Sequence, residues 1–237
     1  MLAILQARMS SSRLPGKVMK VVNGQPLINW QIQRIQKAKK ISRLIVATSR
    51  LPSDDSLVEF LTSQGVEVYR GSIDDVYSRY FEIVRNVGAP SFIRLTADCP
   101  LFMPDICDLI VGEFEISHFD YLSNTMKPTF PNGCDVEVVR STAMLKLAES
   151  RLSREELEHV TMGIYTRSSD FFCGNFYNPS GNDDSRLRWT IDTARDLEFI
   201  ESVYEHFVGR EALFGYDEVM ALIEGNLVSP NLEEDRC

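Results

Sequence analysis

The sequence predicts an α/β fold, a mostly parallel sheet with helices on both faces. Short apolar runs alternate with stretches of helical period four times before about Ser117, the pattern of successive strand–helix units. The first run, "LAIL", is short and unbroken, as suits a buried strand. After Ser117 the rhythm changes, which marks a smaller lobe appended to or inserted in the same domain. Crossovers in such a sheet are right-handed, and ligands bind beyond the carboxyl ends of its strands.

Each element has a local reason. "LAIL" is followed by a polar loop, then by "PLINWQIQRIQKAK", where Ile28, Ile32 and Ile35 fall at helical spacing behind Pro26. "SRLIVATS" reads as the second strand, and "SDDSLVEFLTSQG" as a helix with Ser53 as a cap and Gly65 as its stop. "VEVYRG" is a strand, "DDVYSRYFEIVRNVG" a helix, and "SFIRLTAD" the fourth strand. "PDICDLIVGEF" starts a helix with Pro104 in its first turn. Beyond it, "FDYLSN" and "CDVEVV" read as strands around the turn-rich "TMKPTFPNG". Helical stretches follow at "STAMLKLAESR" and "REELEHVTMGIYTRS". Next come "FFCGNFYN", the loop "PSGNDDS", a strand at "LRWTID" and a helix from Ala194 to about Phe207. The chain is expected to be one domain: a nucleotide-binding half over 1–116, a second half over 117–225 and a loose tail over 226–237.

Composition narrows the function. The 237 residues are 44% hydrophobic and 25% charged, enough to build a core without disulfides. A net charge of −9 argues against nucleic acid, whose backbone asks for a broad basic face. No apolar run approaches the length of a membrane span. Cys99, Cys107, Cys134, Cys173 and Cys237 are odd in number and lack CxxC spacing, so neither a zinc site nor a disulfide framework is indicated. The sequence thus describes a cytoplasmic protein with reduced thiols, without a membrane or nucleic-acid partner.

Against that acidic background, "LQARMSSSRLPGKVM" gathers Arg8, Arg13 and Lys17 among Ser10, Ser11, Ser12 and Gly16. Cations with small residues suit a polyphosphate, since Arg grips phosphate oxygens by its fork and small side chains expose backbone N–H groups. A solvated surface loop has the same composition, and no Walker loop is present. Asp98 in "RLTADCP" and Asp192 in "TIDTARDL" both end strands. Together they could hold Mg²⁺, which takes one or two carboxylates plus substrate phosphates; singly, either could serve a helix cap. Asp135 and Glu137 lie two apart on one strand face and could receive sugar hydroxyls, or form the polar face of an edge strand. His159 could contact an anionic substrate or be structural, and Trp30 and Trp189 are expected in the core.

The quoted stretches resemble the cytidylyltransferases that make CMP-activated sugar acids. "QARMSSSRLPGK", "RGSIDDVYSRY", "RLTADCPLFMP", "FPNGCDVEV", "EHVTMGIYTR" and "TIDTARDLEFI" occur in the family's order from Gln6 to about Ile200. The likeness extends to the 3-deoxy-manno-octulosonate and acylneuraminate enzymes, and is closer to the spore coat polysaccharide biosynthesis protein F type. It implies a Rossmann-like three-layer α/β/α nucleotide-diphospho-sugar transferase fold with a small substrate and dimerisation lobe. It also implies a Mg²⁺-dependent transfer of CMP from CTP to the anomeric hydroxyl of a small acidic sugar. By this resemblance Ala7, Arg8, Ser12, Arg13, Lys17, Arg79 and Thr96 serve the nucleotide. Arg8, Lys17, Asp98 and Asp192 serve catalysis, and the two aspartates are the metal ligands. Asn132, Gly133, Asp135, Glu137 and His159 line the sugar pocket. The chain reads "TAD" where the octulosonate enzymes have Gln-Gly-Asp, so the sugar is left open. A homodimer is expected, with Phe119–Val139 as the segment that pairs across a two-fold axis. Two other functions fit the same sheet: a sugar-1-phosphate nucleotidyltransferase forming an NDP-sugar, and a non-catalytic nucleotide-binding subunit.

Overall fold

Successive side chains of the first strand, β1 (Leu2–Gln6), point into two different cores. Leu2 and Ile4 pack into one apolar cluster, and Ala3 and Leu5 into another, because strand side chains alternate between faces. The structure, a computed structural model, describes residues 1–11, 13–167 and 169–233. In chain order the other strands are β2 (Val21–Val22), β3 (Gln25–Pro26), β4 (Arg43–Ser49), β5 (Glu67–Gly71), β6 (Ser91–Thr96), β7 (Tyr121–Ser123), β8 (Glu137–Arg140) and β9 (Cys173–Asn175). β2 and β3 form a small hairpin, and the rest build a 7-stranded sheet in the order β5-β4-β1-β6-β8-β7-β9. Every neighbouring pair is parallel except those made by β8.

Helices cover both faces. On one side lie α1 (Leu27–Ile35), α2 (Asp55–Ser63), α4 (Pro104–Ile116), α8 (Ala194–Glu205) and α9 (Tyr216–Glu224), whose apolar residues join Ala3, Leu5, Ile93 and Leu95. On the other lie α3 (Val76–Val87), α5 (Ser141–Leu147) and α7 (Met162–Tyr165), with Leu2, Ile4, Ile45 and Phe92. This is the three-layer arrangement expected. β4 follows β1 on one side of it, whereas β6 returns to its other side. That reversal opens a crevice beyond the carboxyl ends of β1 and β6, where Gln6 pairs with Thr96.

Several expectations need correction. "LRWTID" is no strand: Arg188 bridges Asn132 and Leu187 bridges Leu232 in isolation. Its N–H groups go to three loops instead, Arg188 to Asn231 O at 2.8 Å, Trp189 to Asn132 O at 2.6 Å and Ile191 to Asp98 O at 2.8 Å. "REELEHVTMGIYTRS" breaks into α6 (Arg154–Glu158) and α7. Between them His159 leaves helical geometry, and the Thr161 hydroxyl donates to Glu137 rather than to a helix carbonyl. α9 went unread in the sequence. The tail is not loose as far as residue 233. Val228 and Asn231 are buried, and Glu233 N donates to Arg186 O at 2.9 Å. In the segment expected to face a second copy, β7 and β8 each have a strand on both sides, while residues 126–128 between them are exposed. Cys99, Cys107, Cys134 and Cys173 are free thiols, and among the described residues no helix is long and apolar enough to cross a membrane.

Candidate active site

The crevice beyond β1 and β6 holds two adjoining cavities of about 370 Å³ and 650 Å³, with Arg13, Thr96, Asp98, His159 and Asp192 common to both. The first is walled by the loop after β1. That loop is fastened at its base by Asp54, which the sequence reading passed over in favour of Ser53. Asp54 is fully buried and accepts from Met9 N at 2.8 Å, Thr48 Oγ1 at 2.9 Å, Ser49 N at 3.1 Å and Ser49 Oγ at 2.5 Å. Burial alone would raise its pKa, but these donors hold the carboxyl below its ordinary value. At the far end Gly16 adopts φ 69° and its N–H returns to Met9 O at 3.0 Å, closing the loop on itself. A left-handed residue is needed there, which glycine supplies without strain.

The loop delivers Lys17 to the acids. Its Nζ donates to Ile191 O at 2.6 Å, Asp192 Oδ1 at 3.0 Å and Asp98 Oδ2 at 3.2 Å. Asp98 and Asp192 come together because their backbones are stitched: Asp98 O accepts both Ile191 N at 2.8 Å and Thr190 Oγ1 at 3.0 Å. Burial pushes the Asp98 carboxyl up, but the Lys17 ammonium and the Thr96 hydroxyl more than offset this, so it stays ionised in the neutral range. The second oxygen of Asp192 takes Arg188 Nη2 at 2.6 Å and Arg13 Nη2 at 2.9 Å. Asp192 is not a helix cap. Thr193 caps α8 with Asp196 as its capping-box partner, and Asp196 Oδ2 accepts the N–H groups of Asp192 and Thr193. The Asp192 carboxylate is thereby released to the crevice.

Of the residues expected at the nucleotide, Ala7, Arg8, Arg13, Lys17 and Thr96 line the first cavity. Ser12 lies outside the described residues. Arg79 does not reach the cavity: it is buried, with Nη1 on Ala47 O at 3.3 Å and no partner for Nε or Nη2 among the described residues. Burial, with Arg8 nearby, lowers its pKa. Of the residues expected at the sugar, Asn132, Asp135 and His159 line the second cavity. Gly133 and Glu137 do not. Gly133 has φ +113°, and a Cβ there would stand 2.6 Å from the Trp189 carbonyl carbon, so its task is packing. Glu137 sits below the floor, in an ion pair with Arg94 and accepting from Tyr121 Oη at 2.9 Å and from Thr161. The edge-strand alternative for it fails as well, since β8 is internal. Asp135 behaves differently. Burial, with Glu137 and Asp98 nearby, pushes its carboxyl up to about 7 against the pull of the Gly133 N–H.

The sequence reading missed Arg94 and Glu158 at the first cavity and Arg188, Arg195 and Glu233 at the second. Arg94 carried a signal, a lone cation inside the apolar run "SFIRL". Arg188 carried a weaker one, its i,i+4 spacing to Asp192. Glu233 carried none. The assembled crevice joins a first cavity lined by Arg8, Arg13, Lys17 and Arg94 with Asp98, Glu158 and Asp192 to a second, mixed polar one across the two aspartates. Guanidinium and ammonium groups so placed suit phosphate oxygens.

Comparison with known proteins shows the family to which the chain is similar. A family model described as cytidylyltransferase matches residues 2–208. The chain is 30% identical over 231 residues to the spore coat polysaccharide biosynthesis protein SpsF of Bacillus subtilis, covering 95% of this chain and 94% of that protein. The structure superposes on a cytidylyltransferase from Leptospira borgpetersenii with a TM-score of 0.89 at 29% identity, covering 98% of each chain. It shares its fold with a CMP:2-keto-3-deoxy-manno-octonic acid synthetase solved with CTP, at TM-score 0.66 and 15% identity, covering 86% of this chain and 98% of the other.

Proposed function

Because the chain belongs to the cytidylyltransferase family, we propose that it transfers CMP from CTP to the anomeric hydroxyl of an acidic sugar, releasing pyrophosphate for polysaccharide biosynthesis. One observation carries the reading: Lys17 meets Asp98 and Asp192 at the seam between the two cavities. The CTP complex of the octonic acid synthetase supports CTP as the donor.

Transfer to a hydroxyl at phosphorus asks for alignment and charge stabilisation more than for a protein nucleophile. Arg8 and Arg13 bind the triphosphate in the first cavity, and Lys17, held on both aspartates, adds its charge at the seam. The acceptor takes the neighbouring cavity, against Asn132, Asp135 and His159, which sets its hydroxyl across the seam from the α-phosphorus. The new O–P bond forms as the bond to the β-phosphate oxygen breaks, and the cationic loop stabilises the charge that collects on pyrophosphate. Asp135, with its carboxyl pushed up to about 7, is suited to accept the hydroxyl proton near neutrality. Asp98 and Asp192 suit Mg²⁺. They already share one cation, and the Mg²⁺ preference for two carboxylates plus phosphate oxygens matches what the seam offers. When bound, Mg²⁺ would polarise the α-phosphate and lower the pKa of the acceptor hydroxyl. Arg188 and Arg13 keep Asp192 aimed at the seam.

The test is pyrophosphate release with each of the four nucleoside triphosphates, Mg²⁺ and a panel of sugar acids. CTP with one acid should turn over. Asp98→Asn should lose roughly 10²–10³ in rate, the scale of one preorganised charge, while keeping its circular dichroism spectrum. Full activity in that variant, or turnover only with sugar 1-phosphates, overturns the reading.

A further inference from the structure

The C-terminal segment places a carboxylate inside the second cavity. Glu233 Oε1 accepts from Arg188 Nη1 at 2.9 Å and also from Asn132 Nδ2. Two donors from separate segments thus converge on one carboxylate oxygen. Both are held rigidly. Asn132 is clamped through its backbone, N to Leu187 O at 2.9 Å and O from Trp189 N at 2.6 Å. Arg188 is fixed by Asp196 on Nε at 3.0 Å and Asp192 on Nη2 at 2.6 Å.

The three carboxylates around Arg188 are not equivalent. Asp196 caps α8 and its side chain is only 4% exposed. Asp192 belongs to the seam. Glu233 is 27% exposed and belongs to no helix or strand. Three anions already surround one guanidinium, so a fourth entering the same cavity meets net negative charge. An acidic acceptor therefore needs one of the three to leave, and only Glu233 can go without undoing α8 or the seam.

We propose that Arg188 Nη1 and Asn132 Nδ2 form the seat for the carboxylate of the acceptor, and that Glu233 is its displaceable stand-in from the same chain. This rests on the reading that the acceptor is a sugar acid. It goes further in naming the donors that select the acid and the residue that competes with it. Glu233 keeps the seat satisfied while it is free of ligand, since a buried guanidinium N–H without an acceptor is costly. A partly exposed ion pair contributes little, so a ligand carboxylate with further contacts displaces it. Neutral sugars cannot replace the lost charge and are rejected.

The experiment measures binding, independent of turnover. Pyrophosphate is first added to fill the basic loop, and pyruvate and methyl pyruvate are then titrated into wild type and Glu233→Ala by calorimetry. Removing the competitor should tighten pyruvate binding about fivefold, the equivalent of one such ion pair, and leave methyl pyruvate unchanged. Glu233→Gln, which keeps the shape but not the charge, should fall between the two and decides the matter if the alanine variant does not fold. Equal pyruvate affinity in wild type and variants, or weaker binding in the variants, overturns the seat. If no sugar acid turns over yet pyruvate tightens, the seat stands and the reaction is wrong. If an acid turns over and pyruvate is indifferent, the reaction stands and the seat is wrong.

Discussion

Asp135 and Glu137 lie two residues apart, Asp135 just ahead of β8 and Glu137 at its first position, and have opposite fates. Glu137 is satisfied by the Arg94 guanidinium and two hydroxyls. Its charge keeps Arg94 ionised despite the burial that opposes it. Among the described residues Asp135 has one long bond, from the Gly133 N–H at 3.4 Å, and burial pushes its carboxyl up to about 7. An acid whose pKa is higher folded than unfolded binds more protons in the native state between these values. The contribution of Asp135 to stability should therefore fall as pH rises from about 4 to about 7 and stay level above that. Asp135→Asn removes the fall. In urea titrations the variant should match wild type near pH 4 and exceed it by up to roughly 4 kcal/mol at pH 8. A constant difference between the two proteins across that range would contradict the raised pKa.

At the scale of elements, the cationic loop owes its shape to its anchors more than to its charges. Asp54 bonds the Met9 N–H to the end of β4 through Thr48 and Ser49. Asp54→Ala leaves those donors buried without an acceptor and should destabilise the protein by about 2–4 kcal/mol. It should also weaken CTP binding, because Arg8 and Lys17 ride on the loop it holds. Chemical denaturation with a CTP titration checks both, and Asp54→Asn should recover part of each. Unchanged CTP affinity in the alanine variant would mean that the loop holds itself. At α8, Asp192 and Thr193 are adjacent and both residue types are good caps, so the sequence does not say which one starts the helix. Only the bonds from Asp196 to the Asp192 and Thr193 N–H groups separate a cap from a residue aimed at the crevice.

For the whole molecule, a net charge of −9 is compatible with the proposed triphosphate site because charge acts locally. Salt screens surface charges beyond roughly 8–10 Å. CTP with Mg²⁺ at about 100 times its dissociation constant should therefore stabilise the fold by about 2.7 kcal/mol. That corresponds to a rise of roughly 5–10 °C in Tm for a chain of this size. The shift should shrink at high salt, and in Asp98→Asn the part added by Mg²⁺ should vanish. A nucleotide that gives no shift with or without Mg²⁺ would remove the basis for a triphosphate site.

Strand–helix alternation, the two-core sheet and the cationic loop were set by the sequence alone, since each depends on residues within a few positions of one another. Apolar period decides which face of a strand or helix is buried, and the loop's charges are adjacent in the chain. Tertiary structure decided what the loop meets. Lys17 joins Asp98 and Asp192 across 81 and 175 positions, and Glu233 reaches Asn132 across 101. It also took Arg79, Gly133 and Glu137 out of the cavity wall and brought Arg94, Arg188 and Glu233 into it. No local pattern encodes such meetings, because they follow from the order of strands in the sheet and from backbone bonds between loops far apart in the chain.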